Sequence, residues 1–286
     1  MLAAVAQLCS RSNVAHNLLV CKNVIARASA AGAGLIWLPE ASDFIAGPAD
    51  VPRLSRPLER SEFVDGIKAS AKEGRIWVGV GVHETADEKR CYNTNLLISP
   101  EGNIVQAYRK LHLFDVNIKG GAVILESSTT VPGKELLPPA KTPLGKIGLL
   151  TCYDLRFPEV SLSLRRQGAQ ILTYPSAFTL RTGAAHWETL LRARAIETQT
   201  YVLAPAQIGS HSPTRQSYGH ALIVDPWGTV LAQGTDRQPV AVKEGEDGPV
   251  DEGTFVTAEV DLSWLESTRE GMPLWEQRRG DVYPVL

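Results

Sequence analysis

Apolar runs of strand length recur along this chain, separated by segments with helical spacing. Residues 2–8, Leu-Ala-Ala-Val-Ala-Gln-Leu, read as a first strand. Residues 14–31, rich in Ala and Leu, read as a helix that Gly32 and Gly34 end. The run Leu35-Ile36-Trp37-Leu38 is a second strand, stopped by Pro39 and Glu40. A helix over about 61–72 follows, with Gly74 as its stop. Three strands then span 76–83, 92–99 and 104–109, the last two joined by the Pro100-Glu101-Gly102-Asn103 turn. Between 115 and 143 the pattern breaks into Pro, Gly, Ser and Thr, which predicts a long irregular loop of the kind that carries function. Beyond it the reading is a buried strand at 146–151, a helix near 159–167, a strand at 169–174, a helix at about 184–198 and a strand at 201–205. Strands at 221–225 and 229–232 flank a Pro226-Trp227-Gly228 turn. Residues 234–253 read as a polar surface excursion, and 254–260 as the last strand.

This order predicts an α/β chain, but its β-β stretches fit a purely parallel Rossmann sheet poorly. Gly79-Val80-Gly81 has no third glycine opening a helix, so the pair reads as glycines packed in a strand rather than a dinucleotide fingerprint. At 286 residues, 44% hydrophobic and 21% charged, the chain suits one domain over 1–286 with a sizeable core. A net charge of −2 gives neither nucleic acid nor a membrane surface a reason to bind. Cys9, Cys21, Cys91 and Cys152 form no C-x-x-C pair, so neither a metal site nor a disulfide framework is expected. Reduced thiols, and no signal-like segment after Met1, make a cytoplasmic protein the expectation; a mitochondrial form from an upstream start stays open.

Cys152 stands where the buried 146–151 strand ends and 153–159 leads toward a helix. Unpaired N–H groups and a helix dipole there are expected to favour thiolate, to make Cys152 the first of the four thiols to alkylate, and to hold an oxyanion. A cysteine hydrolase also needs a base. Six histidines are available, but spacing ties none of them to Cys152. Glu40 sits at the carboxyl end of a central strand, where α/β sheets build their sites. Lys110 closes the 104–109 strand, and Glu126 follows Val123-Ile124-Leu125 in the long loop.

Leu38-Pro39-Glu40-Ala41-Ser42, Tyr108-Arg109-Lys110-Leu111-His112-Leu113-Phe114-Asp115 and Cys152-Tyr153-Asp154-Leu155-Arg156-Phe157-Pro158-Glu159 resemble, in order, the three signature blocks of the nitrilase (carbon–nitrogen hydrolase) superfamily. Tyr174–Phe178, Thr182–Glu188, Ser217–His220, Val224–Val230 and the ending Arg278–Tyr283 are similar to its Nit branch, on the side of the deaminated glutathione amidases. The resemblance implies an α-β-β-α sandwich that pairs with a second copy into an α-β-β-α-α-β-β-α stack, hence a homodimer, and an enzyme that needs no metal or organic cofactor. It also implies that Cys152 is the nucleophile, Glu40 the general base, Lys110 and the Tyr153 backbone N–H the oxyanion donors, and Glu126 the partner that orients Lys110. The implied substrate is a small α-keto amide: deaminated glutathione, cleaved to α-ketoglutarate and cysteinylglycine as metabolite repair. The sister ω-amidase reaction on α-ketoglutaramate or α-ketosuccinamate is the alternative, and a non-catalytic interaction protein is the rival from another class. Arg181, Thr182 and His186 are the candidates for holding the substrate, with Gly183 letting backbone approach it; Arg156 reads as structural.

Overall fold

The computed structural model describes residues 1–117, 123–236 and 253–284. One sheet runs in the order Arg215–Tyr218, Ala206–Ser212, Leu2–Leu8, Leu35–Trp37, Trp77–Thr85, Cys91–Ile98 and Ile104–Arg109, and Thr254–Glu259 adds an antiparallel strand along Leu2–Leu8. The second sheet runs Val230–Gln233, Leu222–Val224, Tyr201–Ala204, Ile171–Thr173, Gly145–Leu149 and Ala140–Thr142. In both sheets the central pairs are parallel and the outer pairs antiparallel.

The period-2 alternation of the first strand decides the layers. Ala4, Ala6 and Leu8 point one way and pack with Val20, Cys21, Val24 and Ile25 of helix Val14–Ala30 and Phe63, Val64 and Ile67 of helix Glu62–Gly74. Ala3 and Val5 point the other way and share a core with Ile147, Leu149 and Ile171 of the second sheet. Leu164 of helix Pro158–Arg166 and Leu191 and Ala195 of helix Leu180–Thr198 join that core from the far side. The layers are therefore α-β-β-α. The inner strands are buried on both faces there, which is why 35–38 and 147–150 are apolar without interruption.

Gly79 and Gly81 are glycines for steric reasons. A Cβ on Gly79 would lie 2.0 Å from the buried Trp37 ring, and one on Gly81 would lie 2.6 Å from the Glu40 Cα. The two sites differ in consequence, because only the second touches the Glu40 turn.

The structure corrects the sequence reading at several elements. The 115–143 stretch holds a hairpin of Asp115–Asn117 with Val123–Leu125, a 3₁₀ turn at Glu126–Ser128 and the strand Ala140–Thr142. Ala206–Ser212, Arg215–Tyr218 and the helix Leu262–Gly271 were not anticipated; Gly209 and a run of serines blurred the first two. The helix read as starting near 184 begins at Leu180, because the Thr179 side chain caps it by accepting from the Thr182 N–H. Residues 237–252, most of the expected polar excursion, lie outside the described residues.

Candidate active site

Four side chains from four separate elements meet in one cluster. Glu40 leaves the Leu35–Trp37 strand, Lys110 leaves Ile104–Arg109, Glu126 opens its 3₁₀ turn, and Cys152 opens the 3₁₀ turn Cys152–Arg156. Lys110 is 2% exposed, and its Nζ donates to Glu40 Oε1 at 3.0 Å and to Glu126 Oε1 and Oε2 at 3.0 and 2.9 Å. The Cys152 thiol donates to the Glu40 carboxylate, and the Ala177 backbone N–H donates to the Cys152 sulfur. All four residues expected to work together are thus in one cluster.

Burial would neutralise each of these groups alone; together they hold one another charged. Burial alone raises the Glu40 carboxyl, but Lys110 and hydrogen bonds from Cys152, Lys110 and Asn93 carry it below the usual range. Lys110 is likewise opposed by burial, yet Glu126 and then Glu40 hold it well above its ordinary value. Two carboxylates and one ammonium leave the cluster one negative charge. Burial, and then Glu40, therefore push the Cys152 thiol up, against the pull of Lys110. This runs against the expected thiolate: the Cys152 thiol is held protonated, hydrogen-bonded to the Glu40 carboxylate. Burial also raises the Cys21 and Cys91 thiols, so any difference in their reactivity rests on access and on the neighbouring base.

Backbone strain marks the same place. Cys152 has φ 45° and Ala41, beside Glu40, has φ 56°, both in the left-handed region that non-glycine residues avoid. Gln207 Nε2 donates to the Glu40 and Ala41 carbonyls at 2.9 and 3.2 Å and holds the first turn. The Cys152 N–H donates to Pro175 O at 3.1 Å and holds the second. The Tyr153 N–H lies in the first turn of the 3₁₀ segment, where no preceding carbonyl of the turn can accept it.

Sequence reasoning missed Asn93, whose Nδ2 donates to Glu40 Oε1 at 2.7 Å and Glu126 Oε1 at 3.2 Å, tying the two carboxylates together. The signal was present: on Cys91–Ile98 the inward positions 93 and 95 are asparagines, and a buried polar residue in a core strand needs a partner. It also missed the Phe114 N–H, which donates to Glu126 Oε2 at 2.6 Å.

Arg181, Thr182 and His186 make no hydrogen bond to the Glu40, Lys110, Glu126 or Cys152 side chains among the described residues. Arg181 is exposed in the first turn of its helix. The Thr182 hydroxyl is engaged with Thr179 at the helix cap, and Gly183 packs against the Tyr218 ring instead of facing a ligand. His186 is exposed and its Nδ1 lies 3.2 Å from Arg156 Nη1. Arg156, read as structural, follows Cys152 by four residues in the same 3₁₀ turn. Its guanidinium lies 5.7 and 5.5 Å from the Tyr153 and Phe178 ring centres, and no carboxylate among the described residues pairs with it.

Comparison with known proteins agrees with this geometry. Residues 2–270 match the carbon–nitrogen hydrolase family. The probable hydrolase nit2 of Schizosaccharomyces pombe is 48% identical over 100% of this chain and 99% of its own. A rat protein named deaminated glutathione amidase is 45% identical over 100% of this chain and 84% of its own. The crystal structure of the Caenorhabditis elegans NitFhit protein superposes with a TM-score of 0.88 at 42% identity, covering 99% of this chain and 66% of that one. A buried Cys-Glu-Lys-Glu cluster on an α-β-β-α frame and full-length similarity thus lead to one conclusion: the chain belongs to the carbon–nitrogen hydrolase family and is a hydrolase of carbon–nitrogen bonds.

Proposed function

We propose that residues 1–286 form one amidase domain that hydrolyses deaminated glutathione to α-ketoglutarate and cysteinylglycine through a Cys152 thioester. The observation that carries the chemistry is the Cys152 thiol donating to a Glu40 carboxylate that Lys110 also holds. Sulfur attacks the amide carbonyl as Glu40 takes the thiol proton. Lys110 has three protons and two of its contacts go to one carboxylate, so one Glu126 contact can yield to the oxyanion beside the Tyr153 N–H. Collapse breaks the C–N bond, and protonated Glu40 gives its proton to the leaving amine. Glu40 then takes a proton from water as the hydroxyl attacks the thioester. Breakdown releases the α-keto acid, and that proton returns to sulfur. Glu126, with Asn93, orients Lys110 throughout.

For the α-keto acid end of the substrate, Arg156 replaces Arg181 and Thr182 as the anchor. A half-buried guanidinium seated on two rings with no acid of its own is suited to a carboxylate, and His186 beside it is the rim of that recess. The name of the rat relative supports deaminated glutathione as the substrate. We infer further that the enzyme is a cytoplasmic homodimer, and the exposed Ile196, Trp227 and Trp264 support a second copy as the occupant of that face.

Steady-state rates on deaminated glutathione and α-ketoglutaramate test the reading. The expected result is a kcat/KM at least tenfold higher for deaminated glutathione, abolished in Cys152→Ala, with Arg156→Ala raising KM for both. A reversed preference would make the chain an ω-amidase. Activity surviving in Cys152→Ala would overturn the mechanism.

A further inference from the structure

One buried carboxylate outside the cluster reaches toward both sides of it. Asp154 is fully buried, two residues beyond Cys152, and accepts four hydrogen bonds. Oδ2 accepts from the Thr151 N–H at 3.0 Å, immediately before the strained Cys152, and from Tyr108 Oη at 2.8 Å. Oδ1 accepts from the His112 N–H at 3.1 Å and from His112 Nδ1 at 2.7 Å. Tyr108 and His112 stand two residues to either side of Lys110. Asp154 therefore grips the backbone on one side of the nucleophile and both flanks of the lysine.

We propose that Asp154 is a positioning residue that fixes the distance between the Cys152 sulfur and the Lys110 ammonium, with His112 and Tyr108 as its arms. The inference rests on the assignment of Cys152 and Lys110 above. A left-handed, non-glycine Cys152 persists only where its surroundings over-determine it, and the Thr151 contact supplies one of those constraints. Lys110 leaves an edge strand whose end no other strand continues, so its backbone needs fixing from outside the sheet.

His112 also stacks on Phe157, with ring centres 3.7 Å apart and planes 11° from parallel, so a packing role must be separated from the hydrogen bond. Two substitutions do this. His112→Asn places an amide donor near the Nδ1 position and removes the stack; His112→Phe keeps the stack and removes the donor. Positioning predicts that His112→Asn holds kcat on deaminated glutathione within about threefold of wild type. His112→Phe loses at least tenfold, with KM within threefold and the thermal midpoint unchanged. Asp154→Asn, which turns an acceptor into a partial donor, loses at least a hundredfold, and adding Tyr108→Phe to it costs less than a further threefold. The opposite order, with Phe active and Asn impaired, assigns His112 to packing and overturns the proposal. So does a His112→Phe or Tyr108→Phe protein that is folded and fully active, should Asp154→Asn fail to fold. If wild type does not turn over deaminated glutathione, the substrate reading fails by itself. The positioning inference is then judged on iodoacetamide alkylation of Cys152, which His112→Phe should slow at least fivefold and His112→Asn should not.

Discussion

Glu40 and Lys110 are buried charges that persist only as a pair, beside the half-buried Glu126, and this makes the pH behaviour of the site predictable. Glu40 titrates below the 4.5 of an ordinary glutamate and Lys110 well above the 10.5 of an ordinary lysine. kcat/KM should therefore be flat from about pH 5 to 9, with its acid limb below 4.5. An acid limb near 6 would sink this picture of the base. Asn93 is one of the groups that holds Glu40 down. Asn93→Ala should move the acid limb upward and lower kcat by about tenfold, a shift that loss of packing alone would not produce.

Removing the cation reverses the sign of the pH dependence of stability. In the wild type the lowered Glu40 contributes stability that is present at neutral pH and lost as pH falls through its folded pKa. Lys110→Met leaves the buried Glu40 without its cation, so its folded pKa rises above the unfolded one. That variant should be most stable in acid and lose stability as pH rises through that raised value. Breaking such a buried pair typically costs about 3–5 kcal/mol at neutral pH. Thermal melts of Lys110→Met at pH 5 and pH 8 decide it: a midpoint that does not fall between them contradicts the account. Activity should drop by at least a hundredfold, the usual consequence of losing an oxyanion donor.

Among the elements, the turns at the strand ends matter most, because each delivers one residue of the cluster. The Glu40 turn is wedged against Gly81, where a Cβ would also lie 2.9 Å from Pro39 O, whereas the nearest atoms to a Cβ on Gly79 belong to the Trp37 ring. Both Gly→Ala changes should destabilise the fold by overpacking, by about 1–3 kcal/mol. Only Gly81→Ala should also lower kcat per folded enzyme, since it displaces the base; equal kcat loss in both would refute this. These turns explain what was legible in the sequence. Glu40, Lys110 and Cys152 each follow an apolar run closely, so period and motif together exposed them. Asn93 lies inside a strand and Asp154 inside the turn, where a polar letter does not reveal which cluster it serves. Arg156 could not be told from a surface arginine until the Tyr153 and Phe178 rings were seen beneath it. The helix start at Leu180 was obscured by Gly183, which reads as a breaker but makes room for the Tyr218 ring. Helix Leu262–Gly271 buries only Leu265 and Thr268, too few inward positions to announce a period.

At the scale of the whole molecule, every group assigned to the reaction comes from one chain, so assembly and catalysis can be separated. Single exposed apolar residues are ordinary on a protein surface, but three converge here on one turn. Trp227 is 52% exposed in the turn, Ile196 45% on the outer helix and Trp264 43% on helix Leu262–Gly271. Ile196 sits against Gly228, Arg192 Nε donates to Gly228 O at 2.8 Å, and Trp264 Nε1 donates to Asp225 Oδ2 at 3.4 Å, so the patch is held rigidly. A twofold interface would set this outer α layer against its own copy and bury the patch on both sides. Sedimentation equilibrium should then give twice the 31.0 kDa of the chain for wild type, and 31.0 kDa for an Ile196→Lys/Trp227→Lys double variant. The dissociated variant should keep kcat within about threefold, because its cluster is complete within each chain. A wild type that sediments at 31.0 kDa would leave the patch without a second copy as its occupant. A dissociated variant with no activity would show instead that the outer helices carry strain from the interface to the strand ends where Cys152 and Glu40 meet.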